Sequence, residues 1–454
     1  MKNLKIHFIA IGGSAMHNLA IALKKKGMKV TGSDDEIFEP SKSRLQRYGL
    51  LPLEEGWHPE SVNTSIDVII LGMHARKDNP ELLKAQKLGL KIYSYPEFLF
   101  QHAQNKKRVV IGGSHGKTTI TAMVMHVLKK QDKSFDYLVG SQLKDFEVMT
   151  RLSNEAPVMV FEGDEYLSSP LDPRPKFHWY RPHVALLSGI AWDHMNVFPD
   201  FERYLDQFAL FIELMEEGGT LIYNETDEHL RKLVSKTKKD LHFIPYNQLE
   251  YEILNGITHV FYKNKKFPLK VFGRHNLQNL NGARLICNQM GIDDLSFFEA
   301  IQSFSGTANR LELISANGNS RLFKDFAHAP SKLRATLDAV REQFPEQKLV
   351  ACFELHTFSS LNAAFLEQYE DTMNSADEAL VYFNPHALEM KRLPMLDERQ
   401  ITDAFNRNDL KVFRDADKMV DELKKFSGVN TVYLMMSSGN FDGIQMNELA
   451  AQLL

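Results

Sequence analysis

Between Arg108 and Lys130 the chain reads RVVIGGSHGKTTITAMVMHVLKK. Gly113, Ser114, His115, Gly116, Lys117, Thr118 and Thr119 thus lie between an apolar β-branched run and a helix-patterned one. In such a turn backbone N–H groups can wrap phosphates, Lys117 can neutralise the β/γ charge of a nucleoside triphosphate, and Thr118 can help hold Mg²⁺. The usual phosphate loop has four residues between its first glycine and the Gly-Lys pair. Here that first position is Ile111. The bland alternative is a glycine turn with a solvated lysine, but Gly-Lys-Thr-Thr directly at a strand-to-helix junction favours the cradle.

Two acidic segments strengthen the reading. FEGDEYLS (161–168) follows the run PVMVFE, and AWDHMN (191–196) follows VALLSGI. Ligands of parallel sheets sit beyond the carboxyl ends of strands. Two neighbouring strand ends would therefore bring Glu162, Asp164, Glu165, Asp193 and His194 to the edge that carries the glycine loop. A hard cation takes carboxylate and phosphate oxygens, so the expectation is an ATP·Mg²⁺ site. A second glycine turn, AIGGSAMHNLA (10–20), offers Gly12, Gly13 and Ser14 at a helix start, with Asp34 ending the next strand. Such a turn can approach a diphosphate, and such an acid can accept from a ribose or base. Ala10 and Ala15 occupy two glycine positions of G-x-G-x-x-G, so alone this signal says "some nucleotide" and no more.

Elements able to position these groups are legible as alternating short apolar runs and helical patterns, the mark of parallel α/β sheets. Expected strands are 4–10, 28–32, 67–72 and 90–94, then 108–112, 157–162, 184–190 and 219–224. A third series is 349–354, 379–383, 410–413 and 431–436, with helices at 331–344 and 415–426. Ile120, Met123, Val124, Val127 and Leu128 give the helix beginning at Lys117 one apolar face. A polar linker at QHAQNKK (101–107) and the stretch FSGTANR (304–310) separate the series. At roughly 150 residues per domain, 454 residues make about three α/β domains.

Bulk properties exclude several classes. A formal charge of -4 gives no reason to expect nucleic acid or an anionic membrane as partner. Two cysteines, Cys287 and Cys352, argue against a disulfide scaffold and fit a reducing cytoplasm. No run of 18 apolar residues occurs, so no membrane insertion is expected. The N-terminal lysines and apolar run lack a small-residue cleavage site and read as a strand and turn.

Taken together these motifs resemble the Mur ligase family over the whole chain. GSHGKTT is similar to that family's short G-[TS]-x-G-K-[ST]-[TS] loop, which also lacks the first glycine. IGGSAMHNLA with GSDDEIF resembles its UDP-binding first domain, and EGDEY with DHMNVF its magnesium-binding acid and histidine. GRHNLQNLNGA (273–283) resembles the G-x-H-N-x-x-N motif whose asparagine, Asn276 here, faces adenine. FSGTANRLE and KDFAHAPSKL resemble the arginine and aspartate, Arg310 and Asp325, with which the C-terminal domain closes over ATP.

The resemblance implies an α/β fold of three domains in series. A Rossmann-like UDP-sugar domain would span 1–106, a central P-loop ATPase domain with a mostly parallel sheet 107–305, and a Rossmann-like C-terminal domain 306–454. It implies ATP-dependent amide ligation through an acyl phosphate, with Lys117, Glu165 and His194 as the catalytic core and Thr118, Glu165 and His194 on Mg²⁺. UDP-N-acetylmuramate would be one substrate, and an amino acid or peptide the acceptor. One family activity adds L-alanine; another attaches the recycled tripeptide L-Ala-γ-D-Glu-meso-diaminopimelate. DEYLSSPLDPRPKFHWYRPHVALL is closer to the second. The acceptor would meet the third domain near His328 and His356, with Ser359, Asn362, His386 and Lys391 as further candidates. Ala329 replaces a common second histidine, and FPDFERYLDQFALFIE (198–213) has no lysine for the carbamate of some members. Rival readings are a nicotinamide oxidoreductase, which leaves the central loop unexplained, and a non-catalytic nucleotide-sugar binder, which predicts damage at Lys117, Glu165 or His194.

Overall fold

The structure, a computed structural model, describes residues 4–143, 146–192, 197–428 and 430–454. Its first sheet is parallel, ordered β2-β1-β3-β4, from β1 (Lys5–Ile9), β2 (Lys29–Ser33), β3 (Val68–Leu71) and β4 (Lys91–Ser94). Helices α1 (Ser14–Lys25), α2 (Ser41–Arg47), α3 (Pro80–Lys87) and α4 (Tyr95–Ala103) connect and follow these strands. Leu19, Ala20 and Leu23 of α1 repeat at helical spacing and bury against Ile6, Phe8 and Ile70. The inner strands β1 and β3 are buried almost throughout, whereas the edge strands β2 and β4 expose Lys29, Thr31 and Lys91.

A second sheet has the order β13-β12-β11-β5-β8-β6-β7. Its members are β5 (Lys107–Gly112), β6 (Asp136–Leu138), β7 (Thr150–Arg151), β8 (Val158–Glu162), β11 (Val184–Leu187), β12 (Thr220–Asn224) and β13 (His242–Tyr246). Only β6 and β7 pair antiparallel. A small hairpin, β9 (Leu167–Ser169) with β10 (Asp172–Pro175), lies outside this sheet. Val109, Val110 and Ile111 are fully buried, as befits the central β5. One expectation is corrected here: β8 and β11 are not neighbours but flank β5 on either side. Glu162, Asp164 and Glu165 all follow β8 and so stand on one side of β5. Helices α5 (Lys117–Lys130), α6 (Phe201–Glu213) and α7 (Glu228–Lys236) belong to this layer.

Sequence periodicity gave no indication of the antiparallel sheet β14 (Tyr251–Leu254), β15 (Ile257–Tyr262) and β16 (Lys265–Leu269). Two-residue turns with positive φ at both positions close it, Asn255-Gly256 and Lys263-Asn264. Helices α8 (Arg274–Gln289) and α9 (Asp294–Ile301) follow. The last sheet is ordered β17-β18-β22-β19-β20-β21, from β17 (Glu312–Asn317), β18 (Ser320–Asp325), β19 (Lys348–Glu354), β20 (Glu378–Tyr382), β21 (Lys411–Phe413) and β22 (Thr431–Met436). It is parallel except for β17, and α10 (Pro330–Gln343) connects β18 to β19. The chain divides into two compact units, residues 1–249 with 278–301, and residues 250–277 with 302–454.

Candidate active site

The end of β5 turns at Gly113, φ +115°, and enters α5 through Gly116, φ +81°. Neither position tolerates a side chain. A Cβ on Gly113 would stand 2.4 Å from Ser188 Oγ, and one on Gly116 2.3 Å from Asn279 Oδ1. The loop is further tied by Ser114 N–H donating to Gly189 O at 2.9 Å and Ala191 N–H donating to Ser114 Oγ at 2.8 Å. Ser188 donates its hydroxyl to the carbonyl of His115. Such a fixed turn at a helix N-terminus presents backbone N–H groups to an anion.

Lys117 bends back over the turn. Its ammonium donates to Gly113 O at 2.6 Å and to Glu165 Oε2 at 2.8 Å. Burial opposes its charge, but the carboxylates of Glu165, Asp164 and Glu162 more than offset this and hold the ammonium above its ordinary value. Glu165 is fully buried and also accepts from Tyr204 Oη at 3.1 Å, the same hydroxyl that lies 3.0 Å from Ser114 Oγ. Thr119 is buried in the first turn of α5.

Thr118 engages Glu162, an acid the resemblance did not assign to the metal. Its hydroxyl donates to Glu162 Oε1 at 2.6 Å, while Glu162 Oε2 accepts from Gly140 N–H at 2.7 Å. Burial raises the Glu162 carboxyl, with the Thr118 and Gly140 hydrogen bonds and the charge of Lys117 opposing. Glu162 closes β8 beside the loop, whereas Glu165 is taken by Lys117 and Tyr204. A magnesium ion needs one or two protein oxygens besides phosphate and water oxygens, and Thr118 with Glu162 fits that need. Among the described residues no three His, Cys, Asp or Glu side chains converge as a metal site. Asp193 and His194 lie outside the described residues. Asn279, whose side chain abuts Gly116, was not among the expected site residues; the second asparagine of the G-x-H-N-x-x-N run is the signal that could have found it.

In the first sheet, Gly12, Gly13 and Ser14 form the turn from β1 into α1, with Ala10 held at φ +68°. Asp34 follows β2, and its Oδ2 accepts from Gly12 N–H at 2.7 Å. Burial pushes the Asp34 carboxyl up to about 7. The acid therefore braces the glycine turn.

Within the other unit, Asp325 ends β18 and is buried. Its carboxylate accepts from Leu311 N–H and Ala327 N–H, each at 2.7 Å, and from the Thr336 hydroxyl at 3.2 Å. That fixes the loop bearing Arg310, whose guanidinium lies over the Phe326 ring at 4.9 Å. Asn276 donates to Phe272 O at 2.9 Å. His328 Nδ1 pairs with Phe326 O at 2.8 Å, and His356 Nδ1 lies 3.6 Å from Glu354 Oε1. Because β22 separates β18 from β19, the two histidines stand at one carboxyl edge but two strands apart. Ser359 and Asn362 lie in the loop beyond β19, where Asn362 caps the turn Ala363–Leu366. His386, in the short helix Pro385–Met390, is exposed and pairs with Glu389, and Lys391 caps that helix at its C-terminus.

A parallel α/β chain whose central strand feeds a phosphate turn flanked by acids is a nucleotide-dependent enzyme in form. Residues 5–107 match the description "Mur ligase family, catalytic domain", 111–287 "Mur ligase middle domain" and 309–439 "Mur ligase, glutamate ligase domain". The UDP-N-acetylmuramate–L-alanine ligase of Caldicellulosiruptor saccharolyticus is 29% identical, over 95% of this chain and 90% of that one. A solved UDP-N-acetylmuramate:L-alanyl-γ-D-glutamyl-meso-diaminopimelate ligase of Neisseria meningitidis is 26% identical with a TM-score of 0.61, covering 66% of this chain and 98% of that one. The fold is also that of the UDP-N-acetylmuramate–alanine ligase of Thermotoga maritima, TM-score 0.71, 23% identity and 97% of each chain covered. The chain belongs to the Mur ligase family, with its three domains in series. It is an ATP-dependent amide ligase of peptidoglycan synthesis that uses ATP and Mg²⁺. Among the described residues no helix is long and apolar enough to cross a membrane.

Proposed function

We propose that this protein joins the carboxylate of UDP-N-acetylmuramate to the recycled tripeptide L-Ala-γ-D-Glu-meso-diaminopimelate, with an acyl phosphate as intermediate. The observation that carries the acceptor choice is the segment from Asp164 to Pro182. Its Asp-Glu-Tyr, Asp-Pro-Arg-Pro-Lys-Phe and Tyr-Arg-Pro elements resemble the tripeptide-adding members, and it folds as the β9–β10 hairpin, tied to the acidic run by Lys176 and Asp164. The reading places the UDP-sugar at Gly12, Gly13, Ser14 and Asp34 in a domain of residues 1–106. ATP lies at the loop Gly113–Thr119 of a domain spanning 107–305. Asn276, Arg310 and Asp325 are assigned to ATP from their motifs; Asp325 acts by fixing the Arg310 loop. His328 and His356 serve the acceptor in a domain of residues 306–454.

A carboxylate is a poor acyl donor because oxide would have to leave. Phosphorylation supplies a leaving group, and the amine then displaces phosphate through a tetrahedral intermediate. The protein's part is positioning and charge neutralisation. Lys117 leaves Glu165 for the phosphate oxygens, a short swing because both partners sit over the same turn. Glu165 is then held by Tyr204. Thr118 and Glu162, with His194, would hold Mg²⁺, which neutralises the phosphate charge when bound. The fixed glycine turn keeps the backbone donors aimed without reorganisation.

A second reading, L-alanine as acceptor, is favoured by the curated relatives, which are named as L-alanine ligases. The test is phosphate release from ATP with UDP-N-acetylmuramate and Mg²⁺, offering each acceptor alone. Release with the tripeptide and not with L-alanine supports the reading. Release with L-alanine alone replaces it by the second, and silence with both removes ligase activity on this sugar.

A further inference from the structure

Lys176 is a second buried-edge cation of the acidic run. It follows β10, and its ammonium lies 2.5 Å from Asp164 Oδ2. Tyr95 and Tyr166 present ring faces to it, with centroids at 5.7 and 5.4 Å. The backbone is stitched to the same loop: Lys176 N–H donates to Tyr166 O at 2.9 Å and Phe177 N–H to Asp164 O at 3.0 Å. The Lys176 side chain is 12% exposed, that of Asp164 38%. Tyr95 opens α4, which follows the last strand of the first sheet. The cage is thus built from the sugar-binding region on one side and the phosphate region on the other.

Phosphoryl transfer to a carboxylate forces two anions together. Lys117 serves the phosphate side. The carboxylate needs a counter-charge of its own, and Asp164 on Lys176 already shows a carboxylate seated in such a place. Asp164 is the more exposed partner and can turn to water. Lys176 is held by ring faces and cannot leave without losing the cation–π contacts. We propose that Lys176 receives the lactyl carboxylate of the nucleotide sugar, which displaces Asp164 from it on binding. The proposal rests on the sugar assignment made above and names a specificity residue for it.

The test is calorimetric binding of UDP-N-acetylmuramate and of its neutral carboxamide, with Mg²⁺ and a non-hydrolysable ATP analogue present throughout. A charge-assisted contact makes the wild type prefer the acid by about tenfold to a hundredfold. Lys176→Met, or Lys176→Gln should the first fold poorly, binds acid and amide alike, near the wild-type affinity for the amide. Asp164→Asn keeps or increases the preference, because it removes only the competitor. Retention of the wild-type preference by the Lys176 variants overturns the proposal. So does loss of the preference in Asp164→Asn, which marks the pair as a structural pin, and so does a wild type that does not discriminate. A wild type that binds neither compound removes the sugar assignment itself, a different and recognisable failure.

Discussion

Thr118 Oγ1 donates to Glu162 Oε1 at 2.6 Å, directly after the residue whose ammonium holds Glu165. Two adjacent residues of α5 thus engage two different acids. With Mg²⁺ on Thr118 and Glu162 as proposed, the metal is separate from the lysine counter-ion, and Glu162→Gln and Glu165→Gln become distinct experiments. Glu162→Gln raises the Mg²⁺ concentration for half-maximal turnover about tenfold or more, as losing a ligand or its close support does. Glu165→Gln lowers kcat and leaves the Mg²⁺ requirement within about twofold, since it acts on Lys117. Magnesium titrations of ATP turnover in the two variants decide the matter; the reverse pattern would return the metal to Glu165.

Gly116 is constrained by its φ of +81° and by Asn279 Oδ1, 2.3 Å from where a Cβ would lie. Left-handed backbone costs a side-chain-bearing residue about 1–2 kcal/mol before any clash. Gly116→Ala should therefore lose affinity for an ATP analogue by more than about tenfold, a loss of roughly 1.4 kcal/mol or more. Adding Asn279→Ala should restore part of it by removing the clash but not the strain. Calorimetry on both variants checks this, and no recovery in the double variant contradicts the role given to Asn279.

His178 is a pH-sensitive support of the Asp164–Pro182 segment. It is buried, donates Nε2–H to Gln207 O at 2.8 Å, and stacks on Phe177 at 4.8 Å. Burial lowers its pKa from 6.5 to about 4, despite the opposing hydrogen bond. The folded state resists protonation, so this contribution is intact above pH 6.5 and is lost as pH falls towards 4. At about 1.4 kcal/mol per unit the loss approaches about 3 kcal/mol across that window. Denaturant melts at pH 7 and pH 4.5 should show His178→Gln with a flatter acid limb than the wild type; equal slopes would refute the assignment.

Much of the architecture was legible because the chemistry sits at strand ends, and strands buried on both faces write themselves as apolar runs. RVVIG and TVYLMM are of this kind, and both are strands. The antiparallel sheet of residues 251–269 escaped because its strands are half exposed and β16 opens on two lysines, although Asn255-Gly256 is a hairpin turn in plain view. At the site, residue types announced the acids but not which acid faces which partner. Glu162 ends β8 and Glu165 lies three residues on in the loop that follows, and only the side-chain directions assign one to Thr118 and the other to Lys117. Asp34 shows the same limit: its place after β2 suggested a ligand contact but not that its carboxylate also holds Gly12. Strand adjacency was equally out of reach, since β11 lies beyond β5 by a crossover that composition does not encode.

The central claim is the identity of the acceptor. The most direct measurement is mass analysis of the nucleotide product when L-alanine and the tripeptide compete at equal concentration, with UDP-N-acetylmuramate, ATP and Mg²⁺ present. The account predicts UDP-N-acetylmuramoyl-tripeptide as the dominant product. UDP-N-acetylmuramoyl-L-alanine in its place would contradict it.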